Sequence, residues 1–284
     1  MTEPRTIADL IERRFGLPSA VGKDMPAEGP LARILARRSQ RTFKPDPVPE
    51  ELLTVLLACA QSAPAKSDLQ QYSIIVVRDP ALRRELGSQG KHLDWPSKAP
   101  VLLVFCGDVR RIRRLARMRG HTYANDNTDT FMNAAVDAAI AFETFLLAAE
   151  SVGLGCCGLS AVRFQIDNTA KALGLPEGVF PVAGMAVGWP ERPETSETGT
   201  SMRLPPEVVV HHDRYDDSNL EAAVTAYDAR RHARQALPPE KQRHTDKYGA
   251  LEFCPWSENV TRQLSLPERP AFRAFLAKQG IHPD

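Results

Sequence analysis

The chain has 284 residues, 43% of them hydrophobic, and its 36 Lys and Arg stand against 35 Asp and Glu for a formal net charge of +1. That length builds one large domain or two small ones around a sizeable core. The balanced charge gives no global attraction to nucleic acid or to an anionic membrane, so any anion site has to be local.

From the N-terminus, Met1 to Leu10 lacks an apolar signal core, so a cytoplasmic protein is expected. Thr6 to Phe15 predicts an amphipathic helix with Ile7, Leu10, Ile11 and Phe15 as its apolar positions and Gly16 as its stop. A linker rich in Gly, Pro and Ala runs to Gly29, and Leu31 to Arg38 predicts a short helix. Glu50 to Gln61 predicts another, from the spacing of Leu52, Val55, Leu56 and Cys59. Ser73 to Val77 and Val101 to Cys106 predict buried strands. Between them, Asp79-Pro80 marks a helix start and Gly87 its stop. Phe131 to Ser151 predicts a long helix that is apolar on nearly every face, hence one buried in the core and further covered by any partner subunit. Asn133, Asp137, Glu143 and Glu150 are too many polar groups for a membrane span. Cys156 to Ala161 and Phe180 to Val187 predict strands flanking a helix at Asn168 to Leu173. Val208 to His211 predicts a short strand, and the tail predicts helices at Leu220 to Gln235 and Arg269 to Gln279. Strands and helices mix without strict alternation, which gives the α+β class.

Three motifs carry candidate chemistry. Gly153-Leu-Gly155-Cys-Cys-Gly158 spells the dinucleotide fingerprint, but it follows a long helix and opens a strand, the reverse of the context that motif needs. Gly153 then reads as a helix stop and Cys156 and Cys157 as small buried fillers. Arg37-Arg38-Ser39-Gln40-Arg41 places three guanidiniums and a hydroxyl at a helix end, chemistry suited to a phosphate monoester or an electron-rich ring edge. By itself it reads first as a solvated basic turn. Met202-Arg203-Leu204-Pro205 adds one arginine in a loop. His211-His212 has no carboxylate or cysteine at ligand spacing, so no metal site is expected. The 5 cysteines form no C-x-x-C pair, which fits reduced thiols.

Taken in order, five stretches resemble the nitroreductase family, in particular its larger NADPH-linked nitroreductase and flavin reductase branch. They are Arg37 to Phe43; Ser67-Asp-Leu-Gln70 leading into Ser73-Ile-Ile75; Val104 to Asp108; Ala148 to Gly155 leading to Arg163; and Phe180 to Pro190 with Arg203-Leu-Pro205. The resemblance implies a nitroreductase-like α+β fold, a central mixed sheet flanked by helices, in an intertwined homodimer. It implies one domain over 1–284, with 1–29 and 216–284 as extensions. It also implies FMN as cofactor, NADPH or NADH as electron donor (NADPH favoured), and a small-molecule acceptor such as a quinone, nitroaromatic or free flavin reduced with ping-pong kinetics. By position, Arg37, Arg38 and Ser39 would hold the FMN phosphate and ribityl chain, and Arg41 the pyrimidine edge. Ala65, Lys66 and Ser67, with Gln70 beside them, would line the flavin, and Arg203 would bind phosphate. The backbone at Leu159, Ser160 and Ala161 would pass the flavin N5. No dedicated acid–base residue is implied.

The sequence departs from the family's pattern in three places. Ser201 stands where a lysine is expected, Arg37 replaces a histidine, and Ala63-Pro-Ala-Lys66 replaces a serine-rich loop. Lys66 or Arg37 is expected to compensate for the lysine. Trp95, Tyr123 and Phe131 are candidates for the acceptor pocket, or for ordinary packing. The basic tail, from Arg230-Arg231-His232 to Lys241-Gln-Arg243, is the candidate for the NADPH phosphate. Two other readings of the fold stay open: a reductive dehalogenase or flavin-modifying enzyme, and a non-catalytic flavin-binding protein.

Overall fold

The computed structural model describes residues 4–89, 95–191 and 201–282. In chain order the elements begin with α1 (Ile7–Phe15), α2 (Gly29–Ala36), α3 (Glu50–Gln61), β1 (Tyr72–Val77), α4 (Pro80–Gly87) and β2 (Val101–Asp108). Next come α5 (Arg110–Met118), α6 (Thr128–Ser151), β3 (Gly155–Leu159), α7 (Ile166–Ala172) and β4 (Val179–Gly188). The tail carries α8 (Pro206–Val209), α9 (Leu220–Arg234), α10 (Thr245–Tyr248), α11 (Trp256–Leu264) and α12 (Phe272–Lys278). These elements form two compact units: 4–37 with 201–268, and 38–191 with 269–282.

The second unit is built on a sheet in the order β1-β2-β4-β3. All three ladders are antiparallel. The α+β class is as expected, but among the described residues this sheet holds no parallel pair, where the resemblance implied a mixed one. Every position of β2 is buried, as a strand covered on both faces requires. On one face lies α6, where Ala138, Ala141, Phe145 and Leu146 pack with Phe105, Met185 and Val187 of the sheet and with Leu53 and Leu56 of α3. Phe105 meets Phe142 and Phe145 edge-on, with ring centroids 5.2 and 6.2 Å apart. By length and composition α6 could cross a membrane. Its inner face is built into this core instead, and its Asp137 and Glu150 are 1% and 7% exposed.

In the first unit α1 and α2 pack through Ile7, Leu10 and Ala32. Thr6 and Asp9 form a reciprocal capping box at the start of α1. The backbone N–H groups of Arg5 and Thr6 hold the Asp9 carboxyl below the usual carboxylate range. The helix stops at Gly16 in the left-handed region, φ 70°. Farther on, α9 and α11 meet edge-on at Tyr227 and Trp256, 5.5 Å between centroids. The strand expected at Val208 to His211 is absent: Pro206 opens the short helix α8, and the Val210 N–H donates to the Pro206 carbonyl at 2.7 Å. Proline at the first turn presets φ for a helix, and this outweighs the β-preference of three valines.

Candidate functional site

In the second unit, the part of the arginine run from Arg38 to Arg41 is extended and irregular, with Ser39 and Arg41 exposed and Gln40 buried between them. Gln40 is the pin. Its N–H donates to the Cys156 carbonyl at 2.9 Å, and its side-chain amide donates to the Thr42 hydroxyl at 3.1 Å. Gly155 makes room for it, since a β-carbon there would lie 2.5 Å from the Gln40 Cγ. Extended backbone alternates faces, so burying Gln40 turns Ser39 and Arg41 outward. The Arg41 guanidinium lies over the Trp95 ring, 5.8 Å from its centroid.

The same unit carries the loop from Ala65 to Gln71, which is held under strain. Ser67, Asp68 and Gln70 all have positive φ, 50°, 57° and 50°. Such left-handed non-glycine residues cost about 1–3 kcal/mol each and persist only where the surroundings over-determine them. Two anchors do so here, one buried and one exposed. Asp137 of α6 accepts the N–H of Lys66 on one oxygen and that of Gln71 on the other, both at 3.0 Å. Arg111 of α5 donates to the Gln70 carbonyl at 2.6 Å and the Tyr72 carbonyl at 3.0 Å, and is itself paired with Asp108 at 3.2 Å. Lys66, Ser67 and Gln70 are thereby presented to solvent on a fixed backbone. Neither Asp137 nor Arg111 was among the residues expected from the sequence. For Asp137, a carboxylate on an otherwise apolar stretch of helix was the available signal.

At the other end of β3, Leu159 and Ala161 are buried and Ser160 is exposed. The chain turns there into a single 3-10 turn, Ala161–Arg163. The Ser160 hydroxyl accepts from Arg269 at 2.8 Å, and that guanidinium also lies over Phe164 at 4.8 Å. Strand ends of this kind put backbone groups at the rim of a sheet, where ligands are bound.

Arg37 and Arg203 belong to the first unit, Arg203 exposed and Arg37 half-buried. Both hang from α1: the Arg203 N–H donates to the Arg14 carbonyl at 2.9 Å, and the Arg14 guanidinium donates to the Arg37 carbonyl at 2.7 Å. Arg230 to His232 of the basic tail lie in α9, within the helix expected at Leu220 to Gln235. Arg231, His232 and Lys241 line a cavity of about 220 Å³ together with Ser201, Cys254 and Trp256.

Other candidates resolve into packing. Phe131 stacks on Phe180, 5.1 Å between centroids, in a buried cluster with Phe275. Tyr123 reaches the Thr130 hydroxyl at 3.2 Å. His211 accepts from the Asp216 N–H and lies against Tyr215, and no metal-binding cluster occurs among the described residues. Burial pushes the Cys106 thiol up to about 12. Gly153 follows α6 with φ 86° and β3 begins at Gly155, so the glycine fingerprint sits in the reversed context.

The model of the nitroreductase family matches residues 34–89 and 87–189, and that of the family's C-terminal domain matches 201–284. Among similar proteins, the FMN reductase (NADPH) of Bacillus subtilis is 36% identical over 188 residues, 66% of this chain and 74% of that one. The NADPH-flavin oxidoreductase of Vibrio harveyi is 32% identical over 88% of this chain and 97% of its own length. Of solved structures, NfrA2 of B. megaterium superposes with a TM-score of 0.80 at 28% identity, covering 90% of this chain and 98% of that one. The V. harveyi NADPH:FMN oxidoreductase in complex with NAD+ superposes with a TM-score of 0.75 at 30% identity, covering 88% and 97%. With a helical first unit, a four-stranded α+β second unit and both family models matched across them, this chain belongs to the nitroreductase family.

Proposed function

We propose that this chain is an FMN-dependent oxidoreductase that draws electrons from NADPH or NADH and delivers them to small electron-poor acceptors such as quinones, nitroaromatics or free flavins. The observation that carries the reading is the clamped loop, with three left-handed non-glycine residues fixed by Asp137 and Arg111. Stored backbone strain of this kind clusters at ligand clamps. The donor set fits a flavin mononucleotide. Arg37 and Arg203 offer guanidiniums to a phosphate, Arg38 and Ser39 suit the ribityl chain, and Ala65, Lys66, Ser67 and Gln70 offer a fixed rim. Arg41 would supply a cation for the negative charge that a reduced flavin gathers, and the Leu159-Ser160-Ala161 backbone would offer an N–H to the ring. Bound FMN supplies the redox chemistry, accepting hydride from the nicotinamide and passing electrons to the acceptor. The protein's own work is to bind, orient and bias charge, which calls for no dedicated acid–base side chain. The basic cavity at Arg231, His232 and Lys241 supports NADPH over NADH. We read 1–284 as one cytoplasmic domain in function, with 1–29 and 216–284 as its extensions.

The test is anaerobic titration of the flavin-loaded protein. NADPH is expected to bleach the flavin bands, and a quinone to restore them, with parallel double-reciprocal lines in steady state. Colour that persists with both nicotinamides would overturn the reading in favour of flavin storage. Faster bleaching by NADH would overturn the NADPH preference alone.

The same reading assigns a second copy of the chain to the outer face of α6. Met132 and Val136 there are 56% and 44% exposed, and Ala139 continues the stripe. Burying each large side chain is worth about 1.5–3 kcal/mol. Val136→Asp is expected to shift the protein from dimer to monomer in sedimentation at micromolar concentration. An unchanged dimer would remove this face from the interface.

A further inference from the structure

Arg14 is a charged residue in a core position. Ile7, Leu10 and Arg14 are spaced i, i+3, i+7, so one face of α1 buries all three, and Arg14 is 6% exposed. A buried guanidinium is tolerated only when its donors are satisfied. Its Nε and Nη2 donate to the Leu35 carbonyl, Nε at 3.0 Å, and Nη2 also donates to the Arg37 carbonyl at 2.7 Å. Its Nη1 donates to the Ser201 carbonyl at 3.0 Å. Leu35 lies in the last turn of α2, so the cation also caps that helix's carbonyl end. The backbone adds a fourth tie, from the Arg203 N–H to the Arg14 carbonyl at 2.9 Å.

Other contacts fix the segment from Ser201 to Arg203 from α9. The Met202 carbonyl accepts from the Tyr227 hydroxyl at 3.1 Å and from Arg231 at 3.4 Å, and Arg231 donates to that hydroxyl at 2.7 Å. Met202 also reaches Gly16 at the end of α1, where a β-carbon would lie 2.3 Å from its terminal methyl. One residue of α1 therefore joins two stretches about 165 positions apart in sequence, each bearing an exposed or half-buried arginine.

We propose that Arg14 is a positioning residue that fixes Arg37 and Arg203 as a single phosphate-binding pair. The inference rests on the reading of those two arginines as the FMN phosphate anchors. It makes the N-terminal helix part of the cofactor site, although neither its sequence pattern nor its place before residue 29 suggested that role.

The test measures dissociation constants for FMN and for riboflavin, which lacks the phosphate, by quenching of flavin fluorescence on the apoprotein. Wild type is expected to prefer FMN by a hundredfold or more. Arg14→Met is expected to cut that preference at least tenfold while riboflavin affinity moves less than threefold. Arg14→Lys, which keeps the charge and part of the hydrogen bonding, is expected to fall between and serves where the methionine variant does not fold. In an Arg37→Ala, Arg203→Ala background, Arg14→Lys is expected to change the preference no further, because Arg14 acts only through those two side chains. Equal loss of FMN and riboflavin would mark Arg14 as merely structural and overturn the proposal. If Arg203→Ala removes the preference and neither Arg14 variant does, the phosphate reading stands and the Arg14 proposal falls. If wild type itself does not prefer FMN, the phosphate reading fails and takes the proposal with it.

Discussion

Asp137→Asn is expected to loosen the Lys66–Gln71 loop and to weaken FMN binding without touching the flavin. The carboxylate is buried and accepts two backbone N–H groups 3.0 Å away, one at each end of the strained segment. In the asparagine variant one oxygen remains, and the amide nitrogen faces an N–H donor it cannot accept. A hydrogen bond to a charged group is worth about 1.5–3 kcal/mol, and an orphaned buried donor costs about 1–3 more. The strain in Ser67, Asp68 and Gln70 is of the same order, so the loop has a reason to relax once a clamp is lost. Three readouts follow: a melting temperature lower by roughly 5–10 °C, FMN affinity down by about tenfold or more, and faster tryptic cleavage after the exposed Lys66. The cleavage is the specific one, since it reports this loop rather than global stability. A variant cut at the wild-type rate, with unchanged flavin affinity, would show that Arg111 alone suffices.

Local signals were legible where the physics is local. Glu50 to Gln61 appears as α3 without a shift, although its buried face runs through Leu53, Leu56 and Ala60 and leaves Val55, one of the expected apolar positions, exposed. Asp79 caps α4 through its side chain, accepting the N–H groups of Ala81 and Leu82, and Pro80 fills the first turn. Gly16 stops α1 in the left-handed region as expected. The errors have local causes too. Val208 to His211 reads as a strand by composition, but Pro205-Pro206 presets a helical turn. Phe15 was counted as an apolar position of α1, whereas the buried face passes through Arg14 and leaves Phe15 half-buried.

The site divides along the same line. Its exposed residues sit in short ordered motifs, so the arginine run, the Ser67 loop and the β3 end could be named from sequence. The residues that hold them could not. Asp137 reaches partners 71 and 66 positions away, and Arg14 reaches one 187 away. Nothing in the spacing of a single chain encodes those pairings. What the sequence does show is a polar residue on an apolar helix face, and in both cases that residue turned out to be a clamp. Gln40 hid differently, inside a motif whose charges drew attention away from the one side chain that is buried.

Arg37→Ala and Arg203→Ala are each expected to weaken FMN binding by about ten- to a hundredfold, from charge-assisted contacts worth roughly 1.5–3 kcal/mol. Riboflavin affinity should hardly change, because only the phosphate is addressed. Two independent contacts would multiply, and the double variant would then lose at least a hundredfold. Here they share one mount, since the Arg14 guanidinium grips the Arg37 backbone while its own carbonyl holds the Arg203 N–H. Truncating one side chain leaves the other on the same rigid mount, so the ties through Arg14 should survive each single change. The double variant is therefore expected to fall close to the product, with any shortfall measuring charge repulsion relieved when the first arginine goes. Salt separates this from a packing effect. Arg203 is exposed, so the wild-type preference for FMN over riboflavin should shrink as ionic strength rises, and the double variant should show no such slope. A double variant that purifies fully loaded with FMN, and binds it with the wild-type constant, would take both arginines out of the phosphate site.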